Sequence, residues 1–396
     1  METLPQELLG AIAQELPIAD LRRFRLLSRR YADAGFPALV QKISFLNTLD
    51  TADALQTLSQ SPYGSLGPTR HLTIYDGDWP VAASQEEWAG LFLFLSSRSN
   101  SDPTTTRLAY HRYKQFIRQE TSRTFETDVH LFRTVFDHFP SLRELTLSYI
   151  HAWRMRYLEY IHFHNLTNRI WVIPSFESWV AKGVSRLLPV LGTCSRLQRL
   201  NVEGLLDVRD LVPGPYQLNT IRHLCLDAVL AGEGLDEGIA NFLGAFPELT
   251  TLKIRTYPRG PINQQQLPLQ QMRWPDLQFC DIAKTWVPEN ELFSFIECHP
   301  LKHLTLTSVT LTSGSWKSFF SRARELKTRP DITCQGIFSS WCRRNGRTCV
   351  TGDFNTQYLL NWFLTDSRHP WPFSDANDIS LSAGFVGPEP AILGYE

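Results

Sequence analysis

Two stretches of the sequence, LNTIRHLCL (218–226) and FPELTTLKI (246–254), share the frame apolar-x-x-apolar-x-apolar. Four further copies are FPSLRELTL (139–147), CSRLQRLNV (194–202), WPDLQFCDI (274–282) and HPLKHLTL (299–306). The first apolar positions are Leu142, Leu197, Ile221, Leu249, Leu277 and Leu301, which gives steps of 55, 24, 28, 28 and 24 residues. A short frame that recurs at such steps predicts a structural repeat, with the first step spanning about two units.

The steps between copies fall in the range of leucine-rich repeats. Helix-like stretches lie between the copies, at 236–246, 289–299 and 315–327, and TRHLTI (69–74) is read as an earlier, degenerate copy. Strand and helix in alternation predict an α/β (or α+β) solenoid over 46–327, with a parallel sheet on one side and helices on the other. The alternative is chance recurrence of this frame in a leucine-rich helical protein.

The strand period predicts which side chains leave the core, because neighbouring side chains on a strand point to opposite faces. If Leu200 and Val202 point inward, their neighbours form an exposed, concave face that mixes both signs of charge. Such a face favours a specific protein partner over a polyanion. The predicted partner-binding residues are Arg199, Asn201, Glu203, His223, Asp227, Lys253, Arg255, Asp281 and His303. The alternative is a solvated face, with the binding site on the loops or the C-terminal tail.

The N-terminal run LPQELLGAIAQELPIADLRRFRLLSRRYADAG (4–35) differs from the repeat region in its apolar spacing. Its apolar residues follow helical spacing, Pro17 ends a first helix, and a second helix is expected from Asp20 until Gly35 and Pro37 break it. The prediction is a helical hairpin within residues 1–45. So small a unit cannot bury its own apolar stripe, which must pack on the rest of the chain or on a partner.

The N-terminal run resembles an F-box. The matching residues are Leu4-Pro5, Glu7, Leu8, Leu9, Ile12, Leu16, Pro17, Asp20-Leu21, Leu26 and Ser28-Arg29-Arg30. Its continuation to residue 45 is similar to the fungal branch, in which an F-box precedes degenerate leucine-rich repeats. The sequence departs from the family pattern at Tyr31, where tryptophan is usual, and at Ala13, where a bulkier apolar residue is usual.

The resemblance implies a substrate-recognition subunit of an SCF-type cullin–RING ubiquitin ligase that catalyses nothing itself. The F-box would dock on the Skp adaptor, and through it on a cullin, while the repeats bind an unknown target protein. Helix-in-groove docking needs apolar anchors, and the candidates are Leu4, Pro5, Leu8, Leu9 and Ile12. One alternative is an interaction scaffold acting outside a ligase, and another is that these residues only pack on the first repeat.

Composition limits the partners and the compartment. A net charge of -1 over 396 residues argues against nucleic acid and anionic membrane as partners, and no apolar run is long enough to span a bilayer. Seven cysteines without tight pairing, and no evident signal peptide, favour the cytoplasm or nucleus. No catalytic or nucleotide-binding motif appears. Neither His162 with His164, read as two residues on one strand face, nor Cys334, Cys342 and Cys349 completes a zinc-like set, so no cofactor or metal is expected.

Two segments depart from the repeat. SSRSNSDPTTT (96–106) is rich in Ser and Thr and contains a proline, which predicts a mobile surface loop. The remainder, 328–396, loses the frame and is aromatic-rich around 358–373. We expect it to form a C-terminal cap or tail over the exposed end of the repeat core.

Overall fold

A parallel sheet of nine strands dominates the computed structural model, which combines helix and strand as an α/β fold does. The structure describes residues 4–61, 69–91, 102–149, 161–174, 183–211, 216–231, 234–258, 267–336, 338–342, 347–352, 357–365, 368 and 370–371. The strands are β1 (Lys42–Leu46), β2 (His71–Asp76), β3 (Glu144–Tyr149), β4 (Arg199–Leu206), β5 (His223–Ala231), β6 (Thr251–Pro258), β7 (Phe279–Ala283), β8 (Trp286–Pro288), β9 (His303–Thr307), β10 (Thr310–Ser313), β11 (Asp331–Gln335), β12 (Phe338–Cys342) and β13 (Arg347–Gly352).

The nine strands lie in the order β1-β2-β3-β4-β5-β6-β7-β9-β11, and every pair is parallel. The strands therefore cross the sheet in the order in which the chain makes them. A second sheet has the order β13-β12-β10-β8, with β12 and β13 antiparallel. All six predicted repeat strands and the strand predicted at 69–74 belong to the large sheet.

The helices are α1 (Gln6–Glu15), α2 (Ile18–Arg25), α3 (Arg29–Val40), α4 (Leu49–Gln60), α5 (Gln85–Leu91), α6 (Pro103–Thr121), α7 (Phe125–His138), α8 (Ile161–Ile170), α9 (Gly183–Leu191), α10 (Asp236–Gly244), α11 (Glu289–Cys298), α12 (Trp316–Arg324) and α13 (Gln357–Thr365). The three helices predicted between repeat copies correspond to α10, α11 and α12. Each lies in the crossover between two parallel strands of the large sheet, and the crossovers that contain α11 and α12 also contain β8 and β10 of the second sheet.

One continuous core lies between the large sheet and its helices. All three apolar positions of the six repeat copies belong to it, and each is at most 6% exposed. Phe246 and Phe295 are buried on the helix side of the same core. The frame thus marks residues that pack against their counterparts one repeat away, which is why it recurs at the spacing of the strands.

Register aligns the repeats residue by residue. Arg199 pairs with His223, His223 with Thr251, Thr251 with Phe279, and Phe279 with His303. Equivalent positions of successive copies therefore form rows across the sheet. Asp331 of β11 continues the same row beyond His303. The sheet thus extends past residue 327 through β11, although the sequence of β11 lacks the leucine frame.

Two local predictions are wrong. The stretch 103–106 is the first turn of α6 and not part of a loop, because Asp102 accepts a hydrogen bond from the Thr105 N–H at 3.2 Å and Pro103 suits the first helical position. The other part of that predicted loop, 96–101, lies outside the described residues. His162 and His164 belong to helix α8 and not to a strand. The part of the tail from 372 onward also lies outside the described residues.

Three short helices replace the predicted N-terminal hairpin. The second helical run divides at Leu26-Leu27, where Ser28 begins α3 and accepts a hydrogen bond from the Tyr31 N–H at 3.4 Å. Gly35 and Pro37 lie inside α3 and do not break it. A small separate core of Leu9, Tyr31 and Ala34 joins the helices.

Candidate protein-binding surfaces

The nine predicted partner-binding residues lie together on the face of the large sheet opposite the core. Each is partly or fully exposed, while the residues between them on the same strands are buried. The register sets them side by side, with Arg199 beside His223 and Lys253 beside Asp281. The predicted alternation is confirmed for all nine. Ala283, which the same alternation would place outward, is buried at 4% exposure.

The charges on this face compensate one another locally. The Lys253 ammonium is 3.6 Å from an Asp281 carboxylate oxygen, and an Arg255 guanidinium nitrogen is 3.4 Å from an Asp227 oxygen. These pairs are half exposed, and such pairs contribute little to stability. The face is therefore polar without a strong field of one sign. Burial lowers the pKa of His223, and the neighbouring Arg199 and Arg222 add to this effect.

Strand β3 contributes a further part of the face that the sequence prediction left out. Asn201 donates hydrogen bonds to Glu144 at 2.9 Å and to Thr146 at 3.1 Å, and Ser148 donates to Glu203 at 2.6 Å. The same alternation applied to 139–148 would have placed Glu144, Thr146 and Ser148 on this side of the sheet, where Glu144 is partly exposed and Thr146 and Ser148 are buried at 6% and 5%. The prediction started one copy too late.

An aromatic platform interrupts the polar face on its later strands. Phe279 is 42% exposed and stacks on His303, with ring centroids 5.1 Å apart and planes at 10°. The His303 Nδ1 atom is 3.3 Å from the Asp331 carboxylate. Phe279 supplies the kind of aromatic contact that often dominates protein interfaces.

The N-terminal helices expose apolar side chains on a second surface. Leu8 is 51% exposed and Ile12 41%, so these two predicted adaptor contacts are accessible. Pro5 is also exposed, and Leu4 is partly buried against the small core. Leu9 is 0% exposed and packs in that core. The prediction of Leu9 as a docking contact is therefore wrong: the residue lies one position around the helix from Leu8 and faces α3.

Three exposed apolar residues were missed by the adaptor prediction: Ile18 at 53%, Leu26 at 86% and Leu27 at 65%. Leu26 and Leu27 form the turn between α2 and α3, where helical spacing no longer applies and a helical projection gives the wrong face. Exposed arginines flank them, at Arg22, Arg23, Arg29 and Arg30. This surface, Leu8, Ile12, Ile18, Leu26 and Leu27, is called the N-terminal apolar face below.

Two searches of the described residues had negative results. No group of three or more His, Cys, Asp or Glu side chains is placed to hold a metal ion. Within the same residues, no helix has both the length and the apolar character needed to cross a membrane.

Comparison with known proteins gives no family. No family model matches the chain, and no curated protein matches it. Among solved structures, one similar chain is a Bacteroides fragilis protein whose crystal structure was a target of the Northeast Structural Genomics Consortium. It is 11% identical, with 74% of this chain and 73% of that chain covered, at a TM-score of 0.33. So distant a likeness carries no argument about function.

Proposed function

We propose that this chain is the substrate-recognition subunit of an SCF-type cullin–RING ubiquitin ligase in the cytoplasm or nucleus. Helices α1–α3 act as an F-box that docks on the Skp adaptor, which connects the chain to a cullin. The large sheet and its helices act as a leucine-rich-repeat solenoid that binds the target protein. The chain itself performs no catalysis.

The observation that supports this proposal best is the N-terminal apolar face. Five large apolar side chains, 41% to 86% exposed, lie within twenty residues of sequence, on α1, at the start of α2 and in the turn that follows α2. Clustered exposure of this kind marks protein-interaction surfaces, because isolated apolar residues are ordinary but groups of them are costly to leave in water. We propose Leu8, Ile12, Ile18, Leu26 and Leu27 as adaptor contacts, with Leu4 and Pro5 at the edge of the same surface. The flanking arginines suit a partner with an acidic rim.

The solenoid assignment rests on strand order and register. Strands in chain order, aligned at steps of 24 and 28 residues with helices on one face, are the geometry that stacked repeats produce. The open face then presents the charged rows and the Phe279 platform to a target protein.

The docking proposal is tested by co-purification of the full chain with the Skp adaptor and a cullin. We expect Leu8→Asp combined with Leu27→Asp to abolish adaptor binding, since a buried interface anchor contributes roughly 2 kcal/mol or more and a buried charge adds a further cost. The matched control is Leu108→Asp on α6, a leucine 47% exposed outside this face, which should bind normally. Circular dichroism checks that each variant is folded.

Wild-type adaptor binding by the double variant would contradict the F-box assignment. Adaptor binding without a cullin would favour a scaffold that works outside a ligase. For the target surface, Lys253→Glu with Arg255→Glu should leave adaptor binding unchanged and change the set of proteins labelled by proximity when the proteasome is blocked. An unchanged set would exclude the sheet face as the receptor surface.

A further inference from the structure

A cleft lies where β1 and β2 end, at the first edge of the large sheet. Carboxyl ends of parallel strands are the usual location of ligand sites in α/β folds. Its volume is about 250 Å³, and helix α6 lines the opposite side. Trp79, Val81 and Ile117 provide apolar wall, and the polar lining includes Asp76, Asp78, Glu120, Arg123, Asn47 and Arg186. This volume is below the range of common cofactor sites and suits a single extended side chain.

All three nitrogens of the Arg123 guanidinium donate hydrogen bonds within the protein. It donates to Asp128 Oδ1 at 3.0 and 2.6 Å, to the Asn47 carbonyl at 3.0 Å and side chain at 2.8 Å, and to Glu120 at 3.0 Å. Its side chain is only 4% exposed. Arg186 donates to the other Asp128 oxygen at 2.7 Å. Asp128 thus engages both arginines, although Arg186 keeps 38% of its side chain exposed at the cleft.

Asp76 is the acid that this network leaves least satisfied. Its Oδ1 accepts hydrogen bonds from Asn47 at 3.3 Å and from the Gly77 N–H at 3.1 Å. Its Oδ2 accepts none within the part of the chain that the structure describes. A methyl group at Gly183 would be 2.8 Å from Oδ2, so any residue with a side chain there would crowd this oxygen. Burial raises the pKa of Asp76, against the opposing effect of Arg186 and then of Asn47.

The charges of the cleft favour a cation. Asp76, Asp78, Glu120 and the adjoining Asp128 are four acids, against the two arginines. The aromatic wall favours the same ligand, since a cation and its aliphatic stem both bind well against an indole ring. Trp79 is held edge-on to Phe116 with ring centroids 5.0 Å apart, and its buried Nε1 has no hydrogen-bond acceptor among the described residues.

We propose that this cleft binds one basic side chain, lysine or arginine, of a protein partner. The ammonium or guanidinium group donates to Asp76 Oδ2, and the aliphatic stem lies against Trp79 and Ile117. The site is distant in sequence from both surfaces described above, and it does not depend on the ligase proposal.

Saturation-transfer NMR on the full chain tests this site with N-acetyl-lysine N-methylamide as the probe. The uncharged comparison is N-acetyl-norleucine N-methylamide, which keeps the stem and loses the cation. We expect the lysine probe to bind at least tenfold more tightly. Asp76→Asn should weaken it at least tenfold, whereas the control Asp50→Asn, on α4 and paired with Arg169, should not.

A second variant keeps the test valid if Asp76→Asn does not fold. Val81 is 64% exposed, so Val81→Arg should fold and occupy the cleft with its own cation, while Val81→Gln should not compete. Equal binding of the lysine and norleucine probes, or unchanged affinity in Val81→Arg, would overturn the proposal. n-Butylammonium tests the source of the cation: tighter binding than the lysine probe would indicate a small amine and would also overturn it.

Discussion

The N-terminal helices and the large sheet place their apolar residues in opposite ways. In the sheet, the three apolar positions of all six repeat copies are at most 6% exposed. In the helices, Leu9 is buried, but Leu8 next to it is half exposed and Leu26 is 86% exposed. Similar leucine content therefore serves stability in one region and leaves a surface available for binding in the other. Apolar periodicity alone does not distinguish the two.

The sharpest test of this difference makes the same substitution in both regions. Leu249→Ala removes a side chain that is 0% exposed in the sheet core and should lower the free energy of unfolding by about 2–5 kcal/mol. Leu26→Ala should change it by less than about 0.5 kcal/mol. Chemical denaturation measures both, and equal losses would contradict the contrast.

A buried carboxylate gives the next largest effect. Glu289 accepts hydrogen bonds from the Ser315 N–H at 2.8 Å and the Ser318 hydroxyl at 2.6 Å, and it lies 3.3 Å from Arg322, so it fastens α11 to the start of α12. Glu289→Ala should cost roughly 1–3 kcal/mol, because a buried charged acceptor and its three part-buried hydrogen bonds are lost. Glu297→Ala, at an exposed position of the same helix, is the control. A loss as large in the control would mean that the contacts of Glu289 do not matter.

The sheet region should also depend on pH through His299. This imidazole is buried, donates from Nδ1 to the Phe295 carbonyl at 2.7 Å and accepts at Nε2 from the Trp274 N–H at 3.1 Å. Burial lowers its pKa below the ordinary 6.5. As pH falls below 6.5, the unfolded chain takes up a proton that the folded chain does not, so stability falls by up to about 1.4 kcal/mol per pH unit.

The comparison for that effect is His299→Gln, which cannot titrate. Unfolding curves between pH 7 and 5 should show a shallower decline in this variant than in the wild type. The lowered pKa of His223 contributes in the same direction in both proteins and cancels in the difference. Parallel pH profiles would show that His299 does not contribute.

The smallest effect is expected on the open face of the sheet. Reversing Lys253 and Arg255 to glutamate breaks two half-exposed pairs and should lower stability by no more than about 1 kcal/mol. Thermal unfolding measures this. A loss comparable to that of Leu249→Ala would mean that the face supports the fold and is not simply available to a partner.

The repeat strands could be predicted from the sequence because every apolar position of the frame is buried against the neighbouring copy. Leu142, Leu197 and Ile221 are all buried in this way. The sequence was insufficient for β11, since Asp331–Gln335 lacks the frame and is placed by its register with β9. The assignment of Leu9 failed for a related reason: adjacent apolar residues on one helix face different directions, and only the packing of α3 decides which is buried.

The charged cleft had no local signal at all. Asn47, Asp76, Arg123 and Asp128 come from separate segments and meet only after the sheet edge and α6 and α7 have formed. Single acids and arginines at such spacings resemble ordinary surface residues. Fold and core are therefore more predictable from this sequence than polar sites built across segments.

The order of strands in the large sheet has a mechanical consequence. Within the large sheet, each strand pairs only with the strands of the preceding and following units, so tension applied to the chain ends reaches the outer strands β1 and β11 before the inner strands. Units should then detach one at a time from an edge. Each step of 24 or 28 residues would release roughly 80 to 100 Å of extended chain, giving a sawtooth in a single-molecule extension trace instead of one cooperative rupture.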